Sequence, residues 1–116
     1  MKIHPADKAF GDYIKAKTGN KCKYCGRNGR METSHFHSRR KASTRFDEEN
    51  VACLCSTCHR YFHEHPNIHV DWMKKRLGSE RYELLNIRAE QIMKVNRKDV
   101  TKEYREKLKT LKDERD

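Results

Sequence analysis

Apolar residues fall at helical spacing toward both ends of the chain and at strand spacing in the middle. In residues 5–18, Phe10, Tyr13 and Ile14 share one helical face, and Gly19 and Asn20 are residues that can end such a helix. The run METSHFHS alternates and predicts a short strand over 31–38, with Met31, Thr33, His35 and His37 on one face. Residues 38–50 are basic, then polar, and read as a loop. VACLC, residues 51–55, predicts a second strand. From Ser56 to His65 the pattern suits a helix that Pro66 would stop. Ile68, Val70, Trp72, Met73 and Leu77 extend a further helical stretch to Gly78. Ser79 is the expected N-cap of another helix, with Leu84, Leu85, Ile87 and Ile92 as its apolar side. Residues 99–115 predict a last helix carrying a narrow stripe of Val100, Tyr104, Leu108 and Leu111. The expected fold class is α+β, mainly α.

Composition adds a weakness and a partner. A chain of 116 residues suffices for one small domain. Its expected parts are an N-terminal helix (1–20), a core (21–66) and a helical C-terminal extension (67–116). With 34% hydrophobic and 38% charged residues the core is thin, and a bound metal would help hold it. The net charge of +10 points to a polyanion, most often nucleic acid. Residues 21–45 hold eight Lys and Arg against the single acid Glu32. A basic run is commonly just a solvated face, but this one surrounds a candidate metal site, which favours phosphate contact.

The beginning, MKIHPADKAF, lacks the apolar stretch of a secretory signal, and no segment approaches the ~20 apolar residues of a membrane span. The five cysteines are therefore expected reduced, inside a cell, where paired cysteines read first as metal ligands. Cys22-x-x-Cys25 and Cys55-x-x-Cys58 are two knuckles whose thiolates can share one tetrahedral zinc. Twenty-nine residues separate the pairs, so the zinc would staple both ends of the unit between them. Cys53 is left over and reads as a small buried residue, or less readily as a substitute ligand.

His35, His37, Asn50, His59 and His63 lie between and just after the knuckles. His59 and His63 are four apart on the expected helix, so both rings leave one side of it and suit one metal ion. A lone histidine is more often structural. The order and spacing of this set, strand-His, loop, Asn, helix-His-x3-His, resemble the His-Asn-His (HNH) nuclease motif. There, two strands and a helix grip one divalent ion, in a ββα-metal or His-Me finger core. A neutral histidine titrates in the range needed to take a proton from water, and His35 is the candidate base. Asn50 can orient that ring by hydrogen bonding. His59 and His63 would hold Mg²⁺ or Mn²⁺, which offsets charge on the phosphorane and departing oxygen.

The stretch SHFHSRR…TRFDEENVACLCSTCHRYFHEHP is more closely similar to the NinG/Rap recombination endonucleases of lambdoid phages. In that group a CxxCG knuckle precedes a strand histidine, an RF-x-x-x-N loop and a second CxxC. The likeness continues through Arg76-Leu77-Gly78 into EYREKLKTLK. It implies cleavage of branched recombination intermediates, Holliday junctions and D-loops, leaving 5′-phosphate and 3′-hydroxyl ends. HNH enzymes often carry Asp or His just before the base, where this chain has Ser34. His37 could supply the missing ligand, a phosphate contact, or even the base. Arg39, Arg40, Lys41 and Arg45 would flank the scissile phosphate and give salt-dependent affinity with little base reading. Arg45 could instead pair with Asp47 or Glu48.

Cleavage of a junction favours two active sites and hence a homodimer. The Val100–Leu111 stripe could be its interface, or could pack within the chain. The rival readings are a nicking or homing-type HNH nuclease without junction preference, and a zinc-stapled DNA-binding module without chemistry. The expected location is the cytoplasm, that of the host cell if the chain is phage-encoded.

Overall fold

The computed structural model describes residues 3–115. It is a mainly helical α+β protein with one two-stranded sheet. Helix α1 (Pro5–Lys17) begins with a proline in its first turn, where the missing N–H costs nothing. The His4 ring caps it by accepting the Ala6 N–H at 3.0 Å. Gly19 and Asn20 end it with φ of 67° and 57°. Its buried face is Ala6, Ala9, Phe10 and Ile14, with Tyr13 half-buried.

Strands β1 (Glu32–His35) and β2 (Val51–Leu54) pair antiparallel, with Glu32 opposite Leu54 and His35 opposite Val51. All of β2 is buried. Strand β1 is shorter than the alternation suggested, because Phe36 and His37 turn away into the connecting loop. That loop is not featureless: it contains the short helix α2 (Ala42–Arg45) and a 3-10 turn, Glu48–Asn50. Helix α1 lies close on β1. A side chain at Gly11 would place a Cβ 2.9 Å from Thr33 Oγ1, so glycine is what permits the approach.

Helix α3 (Ser56–Glu64) follows β2 directly, and α4 (Pro66–Leu77) follows it. Pro66 both ends the first and opens the second, as its N1 position allows. Gly78, with φ 84°, separates α4 from α5 (Ser79–Ala89). Two expectations for α5 fail. Its N-cap is Gly78, with no side-chain cap, and Ser79 is already helical. Its buried face is Tyr82, Leu85 and Ala89, while Leu84 and Ile87 are exposed and Ile92 lies beyond the helix in solvent. Packing against α4 selects that face: Met73 and Leu77 meet Tyr82 and Leu85 in a second small core.

Helix α6 (Arg97–Arg115) returns along α1. Tyr104 is buried edge-on against Phe10, with ring centroids 4.8 Å apart. The Val100–Leu111 stripe is thus turned inward on the chain's own first helix. No helix among the described residues is long and apolar enough to cross a membrane.

Phe10 is 1% exposed and touches Phe46, Tyr104 and the ring of His35. Phe10→Ala should destabilise the fold by about 3–4 kcal/mol in urea unfolding, the usual cost of a large buried aromatic.

Candidate functional site

The four knuckle sulfurs come together. Cys22, Cys25, Cys55 and Cys58 have their Sγ atoms within 4.8 Å of one another. Around a tetrahedral zinc with Zn–S near 2.3 Å, sulfurs sit about 3.8 Å apart. Cys25 Sγ and Cys55 Sγ are 3.8 Å apart. The first knuckle is shaped by the Gly26 N–H donating to Cys22 O at 2.9 Å, with Gly26 at φ 78°. Burial opposes ionisation of Cys22, but backbone hydrogen bonds from Cys25, Cys55 and Tyr24 outweigh it and bring the thiol down to about 6. The donor set and its geometry fit a structural zinc. Cys53 is buried, opposite Thr33 in the sheet and outside this cluster.

A cleft of about 1370 Å³ opens between α1, β1 and α3. Glu32, Thr33 and His35 of β1, Arg39 of the loop, and His59 and His63 of α3 all line it. His35 is half-buried. Its Nε2–H donates to the Arg45 carbonyl at 2.9 Å, which leaves Nδ1 as the ring's acceptor. Burial lowers the pKa of His35 below 6.5; the Arg45 carbonyl opposes this and nearby Arg39 adds to it. Burial therefore favours the neutral form of the ring.

The side-chain hydrogen bonds of Asn50 go to backbone groups, not to that ring. Its side chain is 1% exposed and closes the loop between the strands. Oδ1 accepts the His37 N–H at 2.8 Å, and Nδ2 donates to the carbonyls of His37 and Thr44, each at 3.0 Å. Asn50 thus shapes the backbone that presents Arg45 O to His35. His37 is not beside His35 either: its Nε2 lies 2.8 Å from Asn86 Oδ1 on α5, and it lines no part of the cleft. Ser34 is buried and outside the cleft.

His59 and His63 share one side of α3 as their spacing requires. The His59 Nδ1–H donates to Glu32 Oε1 at 2.8 Å. Such a carboxylate fixes the imidazole tautomer and leaves Nε2 for a metal ion. Among the described residues, however, only the cysteines form a group of three or more ligands within 4.8 Å.

The four expected DNA contacts divide. Arg39 and Arg40 are exposed, and Arg39 borders the cleft. Lys41 Nζ pairs with Glu90 at 3.1 Å. Arg45 binds neither Asp47 nor Glu48. Its guanidinium grips the Asp7 carboxylate with two nitrogens, Nε to Oδ1 at 3.0 Å. Both side chains are mostly buried, at 19% and 11% exposure, so Arg45 is committed inside the fold. Asp47, Glu48 and Glu49 instead reach outward to other helices: Asp47 to Arg88, Glu49 to Arg81 and Arg88, and Glu48 to Lys17, Lys107 and the Tyr104 hydroxyl.

Sequence reasoning missed Asp7 and Glu32. An acid in the first turn of a helix reads as a dipole partner, and nothing local links Asp7 to Arg45, 38 residues away. Glu32 stands out only as the one acid of a basic segment.

Fold and site together define a small basic protein with a four-cysteine zinc-type cluster beside a histidine-lined cleft. The family description "Bacteriophage Lambda NinG protein" matches residues 2–114. The chain belongs to that family. No curated protein and no solved structure matches it.

Purified protein should carry one zinc per chain by elemental analysis. Chelation, or Cys55→Ser, should lower Tm by about 10 °C or more, given what structural zinc contributes to small domains. A metal-free protein with unchanged Tm would rule the site out. At Asp7, burial raises the carboxyl pKa, but the Arg45 hydrogen bonds and charge outweigh it and hold it below 3.8. The pair's stabilisation is therefore full above the ordinary Asp pKa and lost as pH falls through the depressed value. Asp7→Asn should cost about 2–3 kcal/mol at pH 7, because it strands a mostly buried guanidinium. That difference should shrink in acid unfolding titrations.

Proposed function

We propose that this protein is a metal-dependent DNA endonuclease of the HNH type, in which β1, β2 and α3 form a ββα-metal core. The observation that carries the reading is the cleft itself, which His35 of β1, His59 and His63 of α3 and Arg39 all line, with His35 Nε2 already bound to the Arg45 carbonyl. A module that only bound DNA would have no need of a histidine whose neutral form burial favours, with one ring nitrogen already fixed.

In this reading a water in the cleft gives its proton to His35 Nδ1 as its oxygen attacks the phosphorus. The P–O3′ bond breaks, giving a 5′-phosphate and a 3′-oxygen that takes a proton from solvent. His35 Nε2 keeps its hydrogen bond to Arg45 O throughout, so the loop orients the base. His59 and His63 would hold a divalent ion such as Mg²⁺ or Mn²⁺, with Glu32 fixing the His59 ring. When bound, that ion would offset negative charge on the phosphoryl and departing oxygens. Arg39 and Arg40 would grip phosphates, while Asn50 acts through the loop backbone.

Membership of a phage NinG family points to a role in phage recombination. Branched DNA, Holliday junctions or D-loops, is the substrate class that this role favours. Two copies acting on one junction belong to the same reading. They would meet through a face other than the Val100–Tyr104 stripe, which α1 covers. The host cytoplasm would be the place of action.

Labelled four-way junction and matched linear duplex, incubated with Mg²⁺ or Mn²⁺, should separate the possibilities. Wild type should cut the junction preferentially. His35→Ala should bind it normally and cut at least ~10³-fold more slowly, the scale of a lost general base. Equal cutting of both DNAs would remove the junction preference and favour a general nicking enzyme. No cutting with either ion would leave a zinc-stapled DNA-binding module. Because the pKa of His35 is lowered from 6.5, the cleavage rate should be flat above that pH and fall only below it.

A further inference from the structure

On the far side of α3 from the cleft lies a row of aromatic rings that neither the core nor the cleft uses. Tyr24, from the tip of the first knuckle, is 43% exposed, and Tyr61 of α3 is 36% exposed. Their rings are nearly parallel, 21° apart, with centroids at 6.3 Å. His65, also exposed, continues the row, its ring 4.5 Å from that of Tyr61 at 30°. Tyr61 follows His59, a cleft histidine, by two residues, about 200° around α3; His65 is the residue at which that helix ends, and none of Tyr24, Tyr61 and His65 lines the cleft. Tyr61 therefore faces away from the cleft, and the row lies outside it.

The backing is rigid. Tyr24 packs edge-on against buried Phe62 at 4.7 Å and against Trp72 at 5.9 Å. Phe62 in turn stacks on His69 with centroids 4.5 Å apart. The cysteine cluster pins the backbone on either side of Tyr24. Its setting is also basic. Lys23 precedes Tyr24, Arg27 follows three residues later, and Arg60 precedes Tyr61. Among the described residues none of these three cations has an ion-pair partner, and all are exposed. Residues 21–31 contain no acid, and Glu64 is the single acid of α3.

We propose that Tyr24, Tyr61 and His65 form a stacking surface for unpaired DNA bases. Flat, rigid, exposed rings among unpaired cations suit a single strand, whose bases offer π-faces and whose backbone supplies phosphates. Paired bases in a duplex cannot reach such a surface. DNA as the partner is shared with the nuclease reading, but catalysis is not required. The surface supplies a physical basis for choosing a D-loop or a fork over linear duplex: their unpaired strand offers bases that fully paired DNA does not.

The test is binding of a fluorescent fork with an unpaired arm, and of an equal-length blunt duplex, measured by anisotropy without divalent ions or chelator. Tyr61→Ala and His65→Ala together should weaken fork binding by about tenfold and leave duplex binding unchanged. Tyr61→Phe, which keeps the ring, should bind as wild type. Tyr24→Ala, checked for zinc content and Tm, should repeat the first result. Unchanged fork binding in the ring-less variants overturns the proposal, and so does an equal loss for fork and duplex in a folded variant. Cleavage by the same proteins separates the two readings. Ring-independent cutting leaves the nuclease without this surface, and ring-dependent fork binding without cutting leaves the surface without the nuclease.

Discussion

The side-chain amide of Asn50 is the contact on which the arrangement of this protein turns. A buried amide must find partners for its oxygen and its nitrogen, and here they are backbone groups of His37 and Thr44. Those bonds tie the exit of β1 to the entrance of β2. Once the loop is closed, Arg45 has one place to put its carbonyl, against His35, and its guanidinium meets Asp7 on α1. Asp47, Glu48 and Glu49, just before Asn50, face outward and clip α5, α1 and α6 onto the same turn. One short segment is thus satisfied inward by hydrogen bonds and outward by ion pairs.

The cysteine cluster does the corresponding work at the other end of the sheet, where Leu54 pairs with Glu32. It joins the segment before β1 to the end of β2 and the start of α3, so α3 cannot shift relative to β1. His59 and Glu32 meet because of that constraint. Helix α1 closes the third side, with Gly11 allowing contact with Thr33 and Asp7 holding Arg45. The first helix, which carries no recognisable motif, is therefore part of the site's frame.

Features written in local spacing were legible in the sequence. The two CxxC pairs, the His59/His63 step, the order of strand, loop, strand and helix, and the existence of the Tyr104 stripe, though not which way it turns, all follow from short-range periodicity or from ligand chemistry. What was not legible depends on segments meeting across the fold. The buried face of α5 could not be chosen among Leu84, Leu85 and Ile87 without knowing that α4 presents Met73 and Leu77. His37 was expected beside His35 because alternation was carried past the end of β1, where Asn50 takes over the backbone. Arg45 looked like a phosphate contact because its partner lies on α1. Charge alone does not say which cations are already spent.

That last point bears on how the molecule would approach a polyanion. Asp7, Asp47, Glu48, Glu49 and Glu90 are each engaged by a cation within the fold. Lys21, Lys23, Arg27, Arg30, Arg39 and Arg40, in the knuckle and after β1, have no such partner among the described residues. Internal pairing therefore does more than stabilise. It spends the cations that meet the loop acids and leaves these six, from the knuckle to the cleft border, as uncompensated positive charge. Uncompensated charge draws a polyanion in and speeds encounter at low ionic strength. The acids that hold the loop in shape also decide which cations remain free to meet a phosphate.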